Sequence, residues 1–310
     1  VLRLALVGLD SSHADHYVRL VAAERRWPGV RLVALVDGEP GRRAELAAAG
    51  GHSLGAGDTT VPDVVGKVDA AIVAHRAGRR HGAAARALLA AGVPVLVDKP
   101  FAASVADARA TLDVARAHGT AVTTASALRF APEVAAAHAA LATDRTTAPP
   151  GPAVEVSGPA DPDDERDGLF FLGIHVVEAA RAVVGAPPGA AWSPPVVTRS
   201  ADGIVATTRL GGVDVRLLLL DPVAHPTAGF AVAVRTSRGV ERSEIVLDAD
   251  YLAPVVEHGL AVLAPGTPTT TPAAARTTAD PDDTARVAAE HATILADLAL
   301  LEQVGAALRP

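Results

Sequence analysis

Along the first 126 residues, short runs of continuous apolar residues alternate with longer stretches whose apolar positions recur every three or four residues. LRLALVG (2–8), RLVALVD (31–37), VDAAIVA (68–74), VPVLVDK (93–99) and TAVTTAS (120–126) read as strands buried on both faces. Helical patterns lie between them. Residues 14–26 put Tyr17, Leu20 and Val21 on one face, and PGRRAELAAAG stops at a glycine. VPDVVGK is a short helix or turn, and a helix from His81 to Ala91 is closed by Gly92. SVADARATLDVARAHG (104–119) has a Ser cap, an apolar stripe and a Gly stop. Counted as six strand–helix units with short connections, this is an α/β pattern. It predicts a Rossmann-type doubly wound parallel sheet whose ligands bind at the carboxyl ends of the strands.

The pattern changes near residues 127–130. Residues 143–168 are rich in Pro, Asp, Thr and Gly and read as a loop, followed by one helix from about Phe170 to Val184. PPVVTRS, GIVATTRL, VDVRLLLL, GFAVAVRT and VERSEIVL then alternate with turns, and LAPVVEHGLAVL is a candidate further strand. The expectation is an α+β domain with an open, mostly antiparallel sheet and a helix on one face. Residues 267–283 read as a loop, and a last amphipathic helix, 284–308, is placed in the second domain with the option of packing back on the first. The division is therefore 1–128 for a dinucleotide-binding domain and 129–310 for a substrate and oligomerisation domain.

Composition narrows the function classes. The net charge is −7 with both signs interspersed, which disfavours nucleic acid and anionic membrane as partners. With no cysteine, disulfide scaffolds, Cys-ligated metals and cysteine nucleophiles are excluded, and a reducing, cytoplasmic setting is expected. No run of about 18 apolar residues suggests a membrane span. The opening VLRLALVGLD reads as a strand entering a turn, not as a signal peptide.

The chain has 26 Arg but only two Lys, Lys67 and Lys99. Against so strong an arginine bias, a retained lysine points to a role that arginine cannot fill. Lysine can give up a proton, whereas arginine effectively cannot. Lys67 fits an ordinary surface position. Lys99 sits at a strand end before Pro100, which is either a turn or a functional placement.

The turn after the first strand is Gly8-Leu9-Asp10-Ser11-Ser12-His13. A dinucleotide fingerprint would place glycines at 8, 10 and 13, and only Gly8 is present. The strand-to-helix context supports the fingerprint, as does Asp37 at the end of the second strand. There an acid either binds the ribose hydroxyls of NAD, disfavouring NADP, or serves as a turn residue. Asp10 brings a Cβ and a like charge toward a pyrophosphate. Alternatively it caps the helix while Ser11 and Ser12 donate to phosphate. His13, His16, His75 and His175 with Asp10 show no zincin-type spacing, so no metal is expected.

The stretch 68–130, with His81 opening a helix and Asp98-Lys99-Pro100 ending the next strand, resembles the Gfo/Idh/MocA family of sugar and polyol dehydrogenases. DGLFFLGIHVVEAARAVVG (167–185) resembles the family helix that carries its catalytic histidine. GLDSSH, VDKP, SALRF and FFLGIHVVE together resemble a less-characterised dehydrogenase branch. The resemblance implies an NAD(H)-dependent oxidoreductase moving hydride between nicotinamide and a secondary alcohol or ketone of a sugar, polyol or related polar metabolite. It implies Lys99 and His175 as the groups that manage the proton and touch substrate, with Glu178 one turn on to hold the imidazole. Arg129 is implied as a further substrate contact. Gly8, Asp10, Ser11, Ser12, His13, Asp37, Ala74, His75, His81, Asp98, Lys99 and Pro100 are implied at the cofactor, with a cis bond before Pro100. A lone His in an apolar helix is also commonly a packed core histidine.

Two departures leave other functions open. Phe171 stands where the family commonly has an Asp, and the loop His75-Arg76-Ala77-Gly78-Arg79-Arg80 is longer and more basic than usual. That loop is either a source of Arg for an anion or a solvated surface. A redox-neutral lyase, isomerase or hydratase using His175 and Lys99, or a non-catalytic binding protein, fits the same scaffold. Apolar strands such as VDVRLLLL predict a homodimer or homotetramer through the second sheet.

Overall fold

Buried β-branched and leucine residues make β1 (Leu2–Val7) a strand whose last four side chains are sealed from solvent. A computed structural model describes residues 1–51, 60–143, 151–264 and 281–309. After β1 come α1 (His13–Tyr17), which continues as a π-helical stretch Val18–Ala23, then β2 (Val30–Val36), α2 (Pro40–Gly50), α3 (Val61–Val64) and β3 (Ala70–Val73). Next are α4 (His81–Ala90), β4 (Val95–Val97), α5 (Val105–His118) and β5 (Val122–Thr124). The strands pair in parallel in the order β2-β1-β3-β4-β5. The order reverses between β1 and β3, where ligands of open α/β sheets bind. The five strands are the five apolar runs of the sequence, so the count of six strand–helix units is one too many; VPDVVGK supplies the short helix α3, as expected.

The second half begins with α6 (Pro132–Thr143), an alanine-rich stretch assigned no element from the sequence, and β6 (Val154–Pro159), which lies in the stretch expected to be a loop. Then follow α7 (Leu169–Val184), β7 (Val196–Ser200), β8 (Gly203–Leu210), β9 (Val213–Leu220), β10 (Phe230–Thr236), β11 (Gly239–Ile245), α8 (Ala253–Leu263) and α9 (Pro281–Ala307). The second sheet has the order β11-β10-β6-β9-β8-β7. It is antiparallel except where β6 lies parallel to β9. α7 packs on β6 and β9, with α6 and α9 against it. That surround explains a helix apolar on nearly every side.

The described residues cluster into two units. The first holds Val1–Ala102, Ala106–Ala125 and the stretch beginning at Asp250; the second holds Ala103–Val105, Ser126–Ala249 and the stretch from Pro281. This corrects the division at 128/129 in one respect. LAPVVEHGLAVL is the helix α8, not a strand, and it packs on β4 and β5. Its buried residues, Val255, Val256, Gly259, Leu260 and Leu263, follow helical spacing. Gly259 lets the helix approach closely, since a Cβ there would lie 2.8 Å from Leu96 Cδ2. His258 Nε2 meets Thr123 Oγ1 at 2.8 Å. α9 packs on α7 within the second unit. The loop expected at 267–283 lies almost wholly outside the described residues. No helix among those described is long and apolar enough to cross a membrane.

α7 and α9 are joined by a buried ion pair. Arg181 Nε lies 2.8 and 3.0 Å from the two Asp297 oxygens, and Trp192 Nε1 donates to Asp297 at 2.6 Å. Both side chains of the pair are 10% exposed or less. Removing one partner strands the other charge in a dry place, so Arg181→Ala is expected to lower unfolding free energy by about 3–5 kcal/mol. Arg181→Met with Asp297→Leu is expected to recover most of that loss. Denaturant titration of the three proteins checks both outcomes.

Candidate active site

In the first unit, the strand-end loops of β1, β2, β3 and β4 carry most of the residues expected to contact a nucleotide. Gly8 has φ +85°, a left-handed turn that favours glycine. A Cβ there would lie 2.5 Å from His75 Nδ1, so the bare backbone lets the His75 ring pack beneath the turn. Ala74 is fully buried, and its N–H donates to Val7 O at 2.7 Å. Ser11 Oγ accepts from His13 N–H at 3.1 Å, and Arg42 Nε donates to Leu9 O at 3.1 Å. Ser12 stands at the start of α1 with its side chain exposed.

Asp10 does not cap α1. One of its oxygens accepts from Arg76 N–H at 3.2 Å and the other from Arg80 Nη1 at 2.8 Å. Asp37, at φ +57°, lies 3.4 Å from His75 Nε2 and 3.7 Å from Arg80 Nη2. His75 is buried, and burial, with the charge of Arg80, lowers its pKa to about 4 against the pull of both carboxylates.

Asp98 is buried at the end of β4. Its oxygens take Tyr17 OH and His13 Nδ1, each at 2.8 Å. Burial opposes its charge, but His13, by charge and hydrogen bond, and then Lys99 outweigh that and hold the carboxyl well below the usual range. The Lys99 side chain is buried beside it, and the Lys99–Pro100 bond is cis as the resemblance implies. Tyr251, on the stretch that leads into α8, sets its ring edge-on to His13 and His16. Burial and then Asp98 push its pKa up to about 12.

His81 links two loops. It is fully buried, with Nδ1 2.8 Å from Pro100 O and Nε2 2.8 Å from His75 O. Both ring nitrogens meet backbone carbonyls, so His81 ties two strand-end loops together. Pro100 joins the site through that carbonyl. Sequence reasoning missed Tyr17 and Tyr251 as partners of this edge, and it missed Arg80 as the guanidinium shared by Asp10 and Asp37. The basic loop 75–80 was the signal for Arg80.

The second unit holds the other catalytic candidates. His175 Nδ1 lies 2.6 Å from Ser126 Oγ, and its ring is edge-on to Phe230. Ser126 N–H donates to Glu178 Oε2 at 2.9 Å, and Arg129 Nη1 lies 3.7 Å from the same oxygen. One turn, 126–129, thus meets both side chains of one α7 face. Burial raises the pKa of Glu178 to about 7, resisted by Arg129 and Ser126 N–H and reinforced by Asp297. Phe171 is covered by the Arg166 guanidinium at 3.8 Å. Ser126 was legible only as part of the SALRF string.

A parallel sheet of this order with a glycine turn after β1 defines a nucleotide-binding Rossmann domain. Residues 2–126 match the Gfo/Idh/MocA family model, described as an oxidoreductase family with an NAD-binding Rossmann fold. Inositol 2-dehydrogenase 1 of Saccharopolyspora erythraea is 38% identical over 109 residues, 34% of this chain and 31% of that protein. The match therefore spans less than a third of that relative. GenD2 from gentamicin A biosynthesis, solved in complex with NAD, superposes with a TM-score of 0.72 at 20% identity, over 99% of this chain and 95% of that one. An oxidoreductase from Agrobacterium radiobacter, solved with NAD+, L-tartaric acid and magnesium, gives 0.69 at 18% identity, over 99% and 97%. At those identities the structures share the fold, including the second, mixed sheet.

Two buried groups impose opposite pH dependences. Glu178 keeps its proton up to about pH 7 in the fold but only to about 4.5 when unfolded, so its contribution is lost as pH rises through that window. His75 is protonated below about 6.5 when unfolded but only below about 4 when folded, so its contribution is lost as pH falls through that window. Glu178→Gln removes the first effect alone. Relative to wild type, the variant is expected to gain up to about 3 kcal/mol between about pH 5 and pH 8. Urea unfolding at both pH values reads the difference, and a constant offset would refute it.

Proposed function

We propose that the chain is an NAD(H)-dependent dehydrogenase acting on a secondary alcohol or ketone of a sugar, polyol or related polar metabolite. The observation that carries this reading is the buried Lys99 at the end of β4, beside an ionised Asp98, in a domain of an NAD-binding oxidoreductase family. Whether the β1 turn fits a dinucleotide depends on Asp10, whose charge is met by Arg80 and by Arg76 N–H. With that charge compensated, the turn fits. Gly8, Ser11 and Ser12 would line the diphosphate, Asp37 the ribose, and Ala74, His75, Asp98 and Lys99 the remaining cofactor edge. Asp37 favours NAD over NADP. When bound, the nicotinamide supplies the hydride chemistry.

The proton falls to the chain's own residues. Lys99 would orient the reacting oxygen and exchange its proton. His175 would act as acid or base through the ring nitrogen opposite Ser126, with Glu178 holding that face of α7 and Arg129 binding substrate. Lys99→Ala and His175→Ala are each expected to lower kcat/KM by roughly a hundred- to ten-thousand-fold, with NADH affinity within about threefold of wild type in His175→Ala. Screening polyols and sugars with NAD+ and with NADP+, following reduced nicotinamide, tests the reading. Product formed with no net change in the cofactor would favour a redox-neutral lyase or isomerase, for which Phe171 in place of an acid speaks. Full biological effect in both alanine variants would favour a binding protein.

The same reading includes a cytoplasmic homodimer or homotetramer built on the second sheet. Leu218 and Leu220 of β9 are half-buried on the face opposite Leu217 and Leu219. Val196 of β7 and Val240 of β11 are exposed. Light scattering at micromolar concentration is expected to return at least twice the 31.3 kDa of the chain, and a monomer would refute this part.

A further inference from the structure

Arg80 stands where the loops after β1, β2 and β3 meet. It donates to Asp10 Oδ2 at 2.8 Å and reaches Asp37 Oδ2 at 3.7 Å. The His75 ring lies under Gly8, with Nε2 3.4 Å from Asp37 and Nδ1 3.8 Å from Asp10. Held at a pKa of about 4, that ring is neutral near pH 7 and offers the carboxylates no full positive charge. Arg80 does, and its planar fork can serve two acceptors at once. Asp10, Asp37 and Arg80 are each about half exposed, so the cluster lies at the surface where a ligand can reach it.

A dinucleotide presents a diphosphate with two negative charges. In the glycine fingerprint the second position lets the backbone approach that group without a side chain. Here the position is Asp10, which adds a Cβ and a negative charge. We propose that Arg80 is the positioning residue that makes this turn able to accept a dinucleotide: it draws the Asp10 carboxylate toward the β3 loop, cancels its charge, and holds Asp37 at the other end of the same fork. The inference rests on the NAD reading above and adds a residue and a mechanism to it. It also assigns a use to the basic loop 75–80. Arg80 on this account works mainly through Asp10, whose carboxylate it meets at 2.8 Å against 3.7 Å for Asp37, so most of its importance is lost when Asp10 loses its charge. A guanidinium that simply touched phosphate would stay important whatever stands at position 10.

A double-mutant cycle separates these cases. NADH is titrated by nicotinamide fluorescence into wild type, Arg80→Gln, Asp10→Asn and the double variant, with circular dichroism confirming that each is folded. Arg80→Gln is expected to weaken NADH binding about tenfold, because it leaves a bare carboxylate near the diphosphate. Asp10→Asn is expected to bind at least as tightly as wild type, and the double variant to return to within about threefold of Asp10→Asn. A double variant as weak as Arg80→Gln, or Arg80→Gln binding like wild type, overturns the inference and leaves the NAD reading intact. Wild type binding neither NADH nor NADPH overturns the NAD reading and this inference with it.

Discussion

Asp98 holds a negative charge in a place water does not reach, and that single requirement orders the edge of the first sheet. A buried carboxylate is tolerated only when its oxygens are met by donors. Here one oxygen takes the Tyr17 hydroxyl and the other the His13 ring, so both ends of α1 are pinned to the end of β4. The next residue is Lys99, whose ammonium shares the same field. Tyr251, just before α8, closes the cluster against His13 and His16. Strand β4 and helix α1 are thus bound by one ionised group, Tyr251 packs on His13 from more than 150 residues later in the chain, and Lys99 follows that group directly in sequence.

The same logic accounts for a dinucleotide turn that retains one glycine of three. In the usual fingerprint the later glycines allow close approach of a phosphate and close packing of helix on strand. Position 13 here is a histidine whose ring is spent on Asp98, and α1 gives way after Tyr17 to a π-helical stretch. Position 10 is an aspartate held by Arg80. What the backbone ordinarily achieves by being bare is handed to charged side chains that cancel one another. Such a turn is sensitive to single substitutions in a way a glycine turn is not, because removing either half of a pair exposes the other.

The parts of the fold that repeat a period were legible. The five parallel strands, α7 and the strands β7 to β11 follow from apolar runs and alternation. β6 was hidden because Val154 and Val156 sit among Pro, Gly and Asp, and its neighbours in the sheet are distant in sequence. α8 was misread because VV and LAVL look like strand residues until the i, i+3, i+4 spacing is counted. The site was legible where a residue's identity is unusual, as with Lys99, or where a family motif marks it, as with His175. The partners that tune those residues, Tyr17, Ser126, Arg80 and Tyr251, are common residue types at unremarkable positions. Only the packing brings them together.

Glu178 and Asp297 are both buried acids of the second unit, yet they have different standing. Asp297 receives the Arg181 guanidinium and the Trp192 N–H at hydrogen-bonding distance, which is how a structural charge is satisfied. Glu178 has one backbone N–H within bonding distance, and Arg129 stands off at 3.7 Å. An acid so incompletely matched is driven toward its neutral form, to a pKa of about 7, by burial that a second close cation would cancel. Its partner in that bond is Ser126, whose hydroxyl accepts Leu128 N–H at 3.2 Å and can still donate to, or accept from, His175 Nδ1. A hydroxyl free to do either lets the neutral imidazole carry its proton on either nitrogen. An acid poised near neutrality and an imidazole bonded to a hydroxyl thus share one α7 face, the arrangement on which the proposed proton transfer would draw.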